Sequence, residues 1–281
     1  MSDLHDIVIP DPNCLSAASQ EAKAEAVGLG KATNSLGRVL ILALMAGMQI
    51  GMGALFMTVV KSDAALSFGA TQLLCGLSFG LGLICVIVAG SELFTGNSLM
   101  VIGAMSKKFS WGSLVKNWVI VWLGNLVGSL VLVAIIYACG TWSMNGGAVG
   151  DTMVAVATSK INLSWGTIFF RGIMCNILVC LAVWMGFAGK SVIDKIFTSV
   201  FPVMAFVACG FEHCVANMFF LPMGLVAYNN GFGASVAAAA DVLNVSGIAY
   251  NISAATLGNI VGGAVFVGLV YWFAYRKKAE K

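Results

Sequence analysis

Residues 210–217 read Gly-Phe-Glu-His-Cys-Val-Ala-Asn and interrupt an apolar run that extends from residue 196 to residue 226. They place Glu212 beside His213, and the chain's other histidine lies near the N-terminus. A charged side chain at the centre of a bilayer costs at least ~2.5 kcal/mol, so its presence in a membrane span indicates a function. Residues 91–97, Ser-Glu-Leu-Phe-Thr-Gly-Asn, interrupt an earlier apolar run, and in both stretches a glutamate precedes an asparagine by five residues.

The composition is that of an integral membrane protein. Of the 281 residues, 59% are hydrophobic and 10% are charged, and the mean hydropathy is +0.94. Soluble domains carry roughly 25% charged residues. The net charge of +3 comes without a large basic patch, so no nucleic-acid partner is predicted.

The eight cysteines are single, with no Cys-x-x-Cys pair, and most lie in apolar runs. They are interpreted as small hydrophobic residues. A metal site needs several convergent ligands, and the adjacent pair His213 and Cys214 does not supply them. The sequence therefore predicts no metal and no other cofactor.

The first 35 residues are polar and lack the apolar core of a signal peptide, so the N-terminus is predicted to be cytoplasmic. Residues 1–14 are predicted to be a flexible tail. Residues 15–31 favour a surface helix loosened at its end by Gly28 and Gly30. A regulatory lid is the alternative interpretation of this helix.

Six apolar segments are each long enough for the ~20 residues that cross a bilayer. They lie near residues 36–60, 69–106, 113–139, 163–189, 193–226 and 249–275. This predicts an N-terminal tail and helix (1–35), a six-helix transmembrane domain (36–275) and a C-terminal tail (276–281). Twelve basic residues fall on the side of the N-terminus and three on the other, which predicts that both termini are cytoplasmic.

The two halves of the chain show three matches in the same order: Arg38–Gly53 with Arg171–Gly186, Glu92 and Asn97 with Glu212 and Asn217, and Gly124–Gly128 with Gly258–Gly262. They indicate a duplicated unit of three spans whose second copy is inverted, with the second and fifth helices broken. Such repeats are typical of transport proteins, with the path at their interface. The two Gly-x-x-x-Gly pairs favour close helix packing.

Each interruption leaves the following half-helix with free N–H groups and a positive dipole end near Asn97 or Asn217. That geometry attracts an anion. Glu92 and Glu212 are interpreted as acceptors for loop N–H groups that hold each interruption in shape. A role in proton relay or cation binding is the alternative.

His213 occupies the position where the first interruption has Leu93, and it is predicted to line the path. An imidazole can hydrogen-bond an anion or pass it a proton. Thr95 is a candidate hydroxyl partner from the facing loop. Lys160 and Arg171 are predicted on the outer side, either as interfacial anchors or, for Lys160, as a group that draws anions to the mouth.

The paired stretches at 89–97 and 210–218, the run 176–184 (Asn-Ile-Leu-Val-Cys-Leu-Ala-Val-Trp) and the closing 258–263 (Gly-Asn-Ile-Val-Gly-Gly) resemble the formate/nitrite transporter family. The resemblance extends from about residue 28 to residue 277. It implies an aquaporin-like protomer, assembled as a homopentamer in the lipid of a prokaryotic cytoplasmic membrane. It also implies passage of formate, nitrite or hydrosulfide, often with a proton.

The resemblance assigns roles to individual residues. The family's central histidine and threonine fall on His213 and Thr95, and its outer lysine and nearby asparagine fall on Lys160 and Asn176. It implies a cytoplasmic constriction at Phe79, Leu83 and Phe206, and an outer one at Leu93, Phe94 and Val179. Cys214 departs from the family pattern, because formate-type members often have serine there.

The sequence thus favours a formate channel, with nitrite or hydrosulfide as alternatives. A neutral-solute channel of the aquaglyceroporin type would have Asn-Pro-Ala at both interruptions, and neither contains proline. A membrane-embedded redox enzyme would need paired cofactor ligands, which one membrane histidine does not provide.

Overall fold

The computed structural model describes residues 14–63 and 65–276. The predicted tail at 1–14, except Cys14, and the tail at 276–281, except Arg276, lie outside these residues. The described chain is helical, with one isolated bridge between Cys14 and Gly189. Its helices are α1 (Ala17–Thr33), α2 (Leu36–Lys61), α3 (Phe68–Ala89), α4 (Gly96–Met105), α5 (Trp111–Cys139), α6 (Ala148–Ile161), α7 (Trp165–Ala188), α8 (Val192–Ala208), α9 (Cys214–Asn229), α10 (Ala239–Val242) and α11 (Val245–Tyr275).

Five of these helices, α2, α3, α5, α7 and α11, are long and apolar enough to cross a membrane. In the two longest predicted spans the backbone leaves the helix. The first connection, residues 90–95, joins α3 to α4, and the second connection, residues 209–213, joins α8 to α9.

Both connections begin with the same turn. Gly90 and Gly210 have φ of +81° and +69°, a left-handed conformation that glycine adopts without a Cβ penalty. In each turn the next residue donates its N–H to the carbonyl five residues back, from Ser91 to Val86 at 2.9 Å and from Phe211 to Phe206 at 3.0 Å. This is the hydrogen bond of a Schellman motif, which ends a helix by satisfying its last carbonyls.

The structure shifts the end of one predicted helix and adds a helix that was not predicted. Helix α1 continues through Gly28 and Gly30 to Thr33 instead of ending near residue 31. Helix α6 lies in a segment for which no element was predicted, and Lys160 is in its last turn. With 14 residues, α6 is shorter than the ~20 apolar residues by which membrane spans are identified in the sequence.

The Gly-x-x-x-Gly pairs mark close helix crossings, as the sequence predicted. A Cβ at Gly128 would overlap the Leu44 carbonyl of α2, and one at Gly262 would overlap the Ile173 carbonyl of α7. This places Leu44 and Ile173 at equivalent positions of the two halves. Arg171 is therefore equivalent to Leu42, so the predicted match of Arg38 with Arg171 is wrong by four residues, about one helical turn.

Helix α1 lies against the junction of α7 and α8. The Leu15 N–H donates to the Ala188 carbonyl at 2.9 Å, and Lys23 Nζ donates to the Phe187 carbonyl at 2.9 Å. On another face of α1, Glu25 forms an ion pair with Lys108 at 3.4 Å.

Helix α11 contains a π-helical segment, Val261–Leu269. Beyond it, Trp272 Nε1 donates to Ser106 Oγ at 2.8 Å, and the Tyr271 ring stacks on Trp184 with the ring centroids 4.4 Å apart. These contacts attach the end of α11 to the segment that follows α4 and to α7.

Candidate functional site

His213 caps the N-terminus of α9. Its Nδ1 accepts the backbone N–H of Ala216 at 3.0 Å, and its Nε2 lies 3.0 Å from Thr95 Oγ1. Because a backbone N–H always donates, Nδ1 holds a lone pair, and the neutral imidazole carries its proton on Nε2. Nε2–H therefore donates to the Thr95 hydroxyl, which brings together two residues that the sequence assigned to facing loops.

The two buried glutamates each bind a lysine and an asparagine. Glu212 Oε1 pairs with Lys160 Nζ at 2.9 Å, and its Oε2 accepts Asn217 Nδ2 at 2.6 Å. In the first connection, Glu92 Oε2 pairs with Lys31 Nζ at 2.8 Å and accepts Asn97 Nδ2 at 2.7 Å.

The expected role of the glutamates as acceptors for loop N–H groups is wrong in its detail, because their partners are side chains. Lys31 was not among the predicted site residues. Helix α1 brings it to Glu92, and no spacing in the sequence indicates that long-range contact.

Asn97 and Asn217 extend each carboxylate pair into a longer network. Asn97 Nδ2 also donates to Asn117 Oδ1 at 2.9 Å, and Asn217 Nδ2 donates to Asn251 Oδ1 at 2.7 Å. Both amides point to the glutamates; Asn97 nevertheless lines one of the two cavities described below, whereas Asn217 is not among the lining residues of either.

Two further asparagines hold the backbone of the connections. Asn125 Oδ1 accepts the Phe94 N–H and its Nδ2 donates to the Glu92 carbonyl, both at 2.9 Å. Asn259 makes the matching contacts with the Cys214 N–H and the Glu212 carbonyl, both at 2.9 Å.

The matching contacts make Leu93 the positional equivalent of His213. The sequence signal for the asparagines was the shared spacing of eight residues from Asn117 to Asn125 and from Asn251 to Asn259, which the prediction did not use.

Two cavities, each of about 310 Å³, flank the connections. The α1-side cavity is lined by Lys23, Lys31, Lys195, Leu83, Leu93 and Asn97, among others. The opposite cavity is lined by Lys61, Lys160, Arg171, Phe79, Phe206 and His213, among others. His213 thus faces the opposite cavity, and Arg171 lines that cavity rather than serving only as an interfacial anchor.

The predicted constrictions are regrouped by the structure. Phe79 and Phe206 were predicted to form the cytoplasmic constriction, on the side of α1. They line the opposite cavity instead, with their ring centroids 5.6 Å apart. Leu93 lines the α1-side cavity together with Leu83, instead of the outer mouth.

Phe94 and Val179 lie in the buried core, where the Phe94 ring packs edge-on against Trp118. The resemblance implied that these apolar residues form two constrictions, but the cavity that each of them lines depends on how α3 and the first connection are oriented.

Asn176 is also misplaced by the prediction. It is fully buried, and its Nδ2 lies within hydrogen-bond distance of the Thr95 carbonyl, Ser98 Oγ and the Asn259 carbonyl. It supports the backbone beside Thr95 and does not reach the mouth that contains Lys160. Among the described residues, no group of three or more His, Cys, Asp or Glu side chains is arranged to hold a metal ion.

The model of the family described as "Formate/nitrite transporter" matches residues 19–273. The chain belongs to the formate/nitrite transporter family. The prediction made from the paired interruptions is therefore confirmed, and the protein is a member of a family of transporters rather than of enzymes.

Similar proteins within the family carry more specific names. The chain is 37% identical to the formate channel FocA of Escherichia coli over 95% of this chain and 96% of that protein. It is 35% identical to the nitrite transporter NirC of Salmonella typhimurium over 91% of this chain and 90% of that protein. A solved structure titled "Pentameric formate channel with formate bound" matches with a TM-score of 0.78 and 42% identity, over 86% of this chain and 98% of that one.

Proposed function

We propose that this protein is a channel for the small monovalent anions of weak acids, with formate as its principal substrate. Two findings support formate: FocA of Escherichia coli is 37% identical, and the matched structure at 42% identity is titled a formate channel. By the same reasoning the protein assembles as a homopentamer in a prokaryotic cytoplasmic membrane. The excess of basic residues on the α1 side supports cytoplasmic termini.

The proposed architecture has six spans in two inverted repeats of the aquaporin-like type. In this arrangement α3 with α4 forms the second span, and α8 with α9 forms the fifth. The matched contacts of Asn125 and Asn259 with the two connections support the duplication. The positive N-termini of α4 and α9 then face each other across the path, which favours an anion.

In the proposed mechanism the anion enters a basic cavity and loses water against Phe79 and Phe206. Desolvation favours the neutral acid over the anion, so the proton affinity of the anion rises. His213 then supplies or relays a proton through Thr95, and the neutral acid passes Leu83 and Leu93. The observation that carries this mechanism is the Nε2–Oγ1 contact of 3.0 Å at the wall of the opposite cavity.

The hydrogen bond by which His213 caps α9 places a condition on proton transfer from this histidine. A neutral imidazole offers only a hydrogen bond, so proton delivery requires His213 to be an imidazolium. An imidazolium has a proton on both nitrogens and accepts no hydrogen bond. Delivery therefore proceeds while the bond from Ala216 is broken.

The test is proton-coupled formate uptake by proteoliposomes that contain the purified protein. His213→Phe is expected to abolish it, and His5→Phe, at the other histidine, provides the matched control. Unchanged uptake by His213→Phe would contradict the mechanism.

The same proteoliposomes distinguish the substrates when formate, nitrite, hydrosulfide and lactate are compared at two pH values. Faster flux of formate supports the proposal. Faster flux of nitrite would favour the function named for the Salmonella relative, and equal rates would indicate a general weak-acid channel.

A further inference from the structure

The basic residues of the two cavities fall into two electrostatic classes. Lys31 and Lys160 are each paired with a buried glutamate, at 2.8 Å and 2.9 Å. The other four, the unpaired cations, form no ion pair with a carboxylate of the described residues: Lys23 and Lys195 at the α1-side cavity, and Lys61 and Arg171 at the opposite cavity.

We propose that the unpaired cations, and not the glutamate-paired lysines, concentrate the anion at the two mouths of the channel. The inference rests on the proposed function. An ion pair presents little net charge to an approaching anion, because the fields of its two members largely cancel beyond a few ångströms. Each cavity is left with two positive charges that are not held in an ion pair among the described residues, and a basic cleft with low-dielectric walls raises the local concentration of anions.

At the opposite cavity, Arg171 is positioned by the second connection itself. Its backbone carbonyl accepts the Glu212 N–H at 3.3 Å, and its half-buried side chain lies near Gly210. Lys61 is the last residue of α2 and lines the same cavity. Both therefore place a positive charge at the wall of the cavity that contains His213.

At the α1-side cavity, Lys23 donates to the Phe187 carbonyl, which orients its ammonium group without cancelling its charge. Lys195 lies in the first turn of α8. The neighbouring carboxylate of Asp194 accepts the backbone N–H groups of Lys190 and Ser191, both at 2.9 Å, and so caps that helix.

The test compares charge-removing pairs in proteoliposomes at formate concentrations below saturation. Lys61→Gln with Arg171→Gln, and Lys23→Gln with Lys195→Gln, are each expected to lower uptake at least about threefold at low ionic strength. The deficit should disappear near 1 M of an impermeant salt, where the Debye length is only about 3 Å. Maximal uptake at saturating formate should change little.

Three controls separate this role from a structural one. The double variant Lys160→Gln with Glu212→Gln replaces an ion pair of zero net charge by two uncharged side chains. Its uptake should therefore depend on ionic strength as the wild type's does, even if its maximal rate differs. Lys116→Gln removes a charge from the exposed face of α5 and should have no effect. Arg171→Lys keeps the charge and should retain the wild-type salt dependence.

Should a double variant fail to assemble, the single variants Lys61→Gln and Lys195→Gln at helix ends are compared, with roughly a twofold loss expected from each. The inference is overturned if the charge-removing variants keep the wild-type salt dependence, or if the Lys160/Glu212 exchange removes it. Absence of formate flux through the wild type would instead contradict the proposed function.

Discussion

His213 Nδ1 accepts the Ala216 N–H at 3.0 Å, so a single imidazole both caps α9 and presents Nε2–H to Thr95 Oγ1. The cap fixes the tautomer of the ring as well as its orientation. The cap uses the lone pair of Nδ1, whereas the proposed transport mechanism uses Nε2–H and, during proton delivery, a protonated Nδ1. Substitutions that keep a hydrogen-bond acceptor but remove the imidazole can therefore separate helix capping from transport.

Substitution of His213 should distinguish the cap from the transport group. Asparagine is a favourable N-cap residue and alanine a poor one, a difference of about 1 kcal/mol. We expect His213→Asn to unfold at a higher temperature than His213→Ala, and both to lose proton-coupled formate uptake because neither supplies an imidazole. The checks are thermal unfolding in detergent and proteoliposome flux. Equal unfolding temperatures for the two variants would show that the cap contributes nothing.

Thr95 should matter through its hydroxyl. The residue is fully buried, and Thr95→Val preserves its shape while removing Oγ1. A net hydrogen bond contributes about 0.5–1.5 kcal/mol, so formate flux should fall roughly 3- to 10-fold if that bond orients Nε2–H. Thr95→Ser keeps the hydroxyl and should retain most of the flux, whereas similar losses in both variants would assign the effect to packing.

The ion pair of Lys160 with Glu212 predicts a strongly non-additive pair of substitutions. The Glu212 side chain is only 2% exposed, so Lys160→Met leaves a buried carboxylate without its partner. We expect a loss of about 3–5 kcal/mol in stability. Adding Glu212→Gln should recover much of it, with Lys116→Met as the surface control. Additive losses in a double-mutant cycle would contradict the coupling.

Docking of α1 should depend on pH through Glu21. Burial, with Glu25 nearby, raises the pKa of Glu21 from 4.5 to about 7. A carboxyl whose pKa is raised in the docked state stabilises docking below about 4.5, and that contribution is lost as pH rises through about 7. Hydrogen exchange in Ala17–Thr33, corrected for the intrinsic effect of pH, should therefore be faster at high pH.

Glu21→Gln has no titrating carboxyl at this position and should flatten the pH profile. Ala22→Gln is the matched control, because it places the same amide side chain on the exposed face of α1 and leaves Glu21 in place. It should keep the wild-type pH profile. A profile that is unchanged in Glu21→Gln would assign the pH dependence to another group.

The sequence was most informative where a buried polar residue had no ordinary explanation. Both connections could be predicted from Glu92, Glu212 and His213, because a polar side chain within a long apolar run is stable only when it has hydrogen-bonding or ionic partners. The Gly-x-x-x-Gly spacing likewise predicted close helix crossings, since only a missing Cβ admits a neighbouring carbonyl. These inferences are local and need no knowledge of which helices meet.

What the sequence did not predict depends on contacts between distant segments. Lys31 reaches Glu92 because α1 docks against the helices that follow, and Asn176 was placed at the mouth although it is buried beside Thr95. Phe79 and Leu93 were each predicted to lie on the side of the membrane where the structure places the other, and this error also arises from contacts between distant segments. Periodicity indicates which face of a helix is apolar, whereas the side of the path that this face lines is set by tertiary packing.

The π-helical segment Val261–Leu269 sets the register of the last turns of α11. A π-turn accommodates one more residue than an α-turn, and each α-helical residue corresponds to about 100° of rotation. A continuous α-helix built from the same residues would rotate everything beyond the segment by about that angle for each surplus residue. That rotation would turn Trp272 away from Ser106 and Tyr271 away from Trp184. Because the wider π-turns absorb the surplus, a relative that lacks a residue in this segment is expected to present the same face to Ser106 and Trp184 through an uninterrupted α-helix.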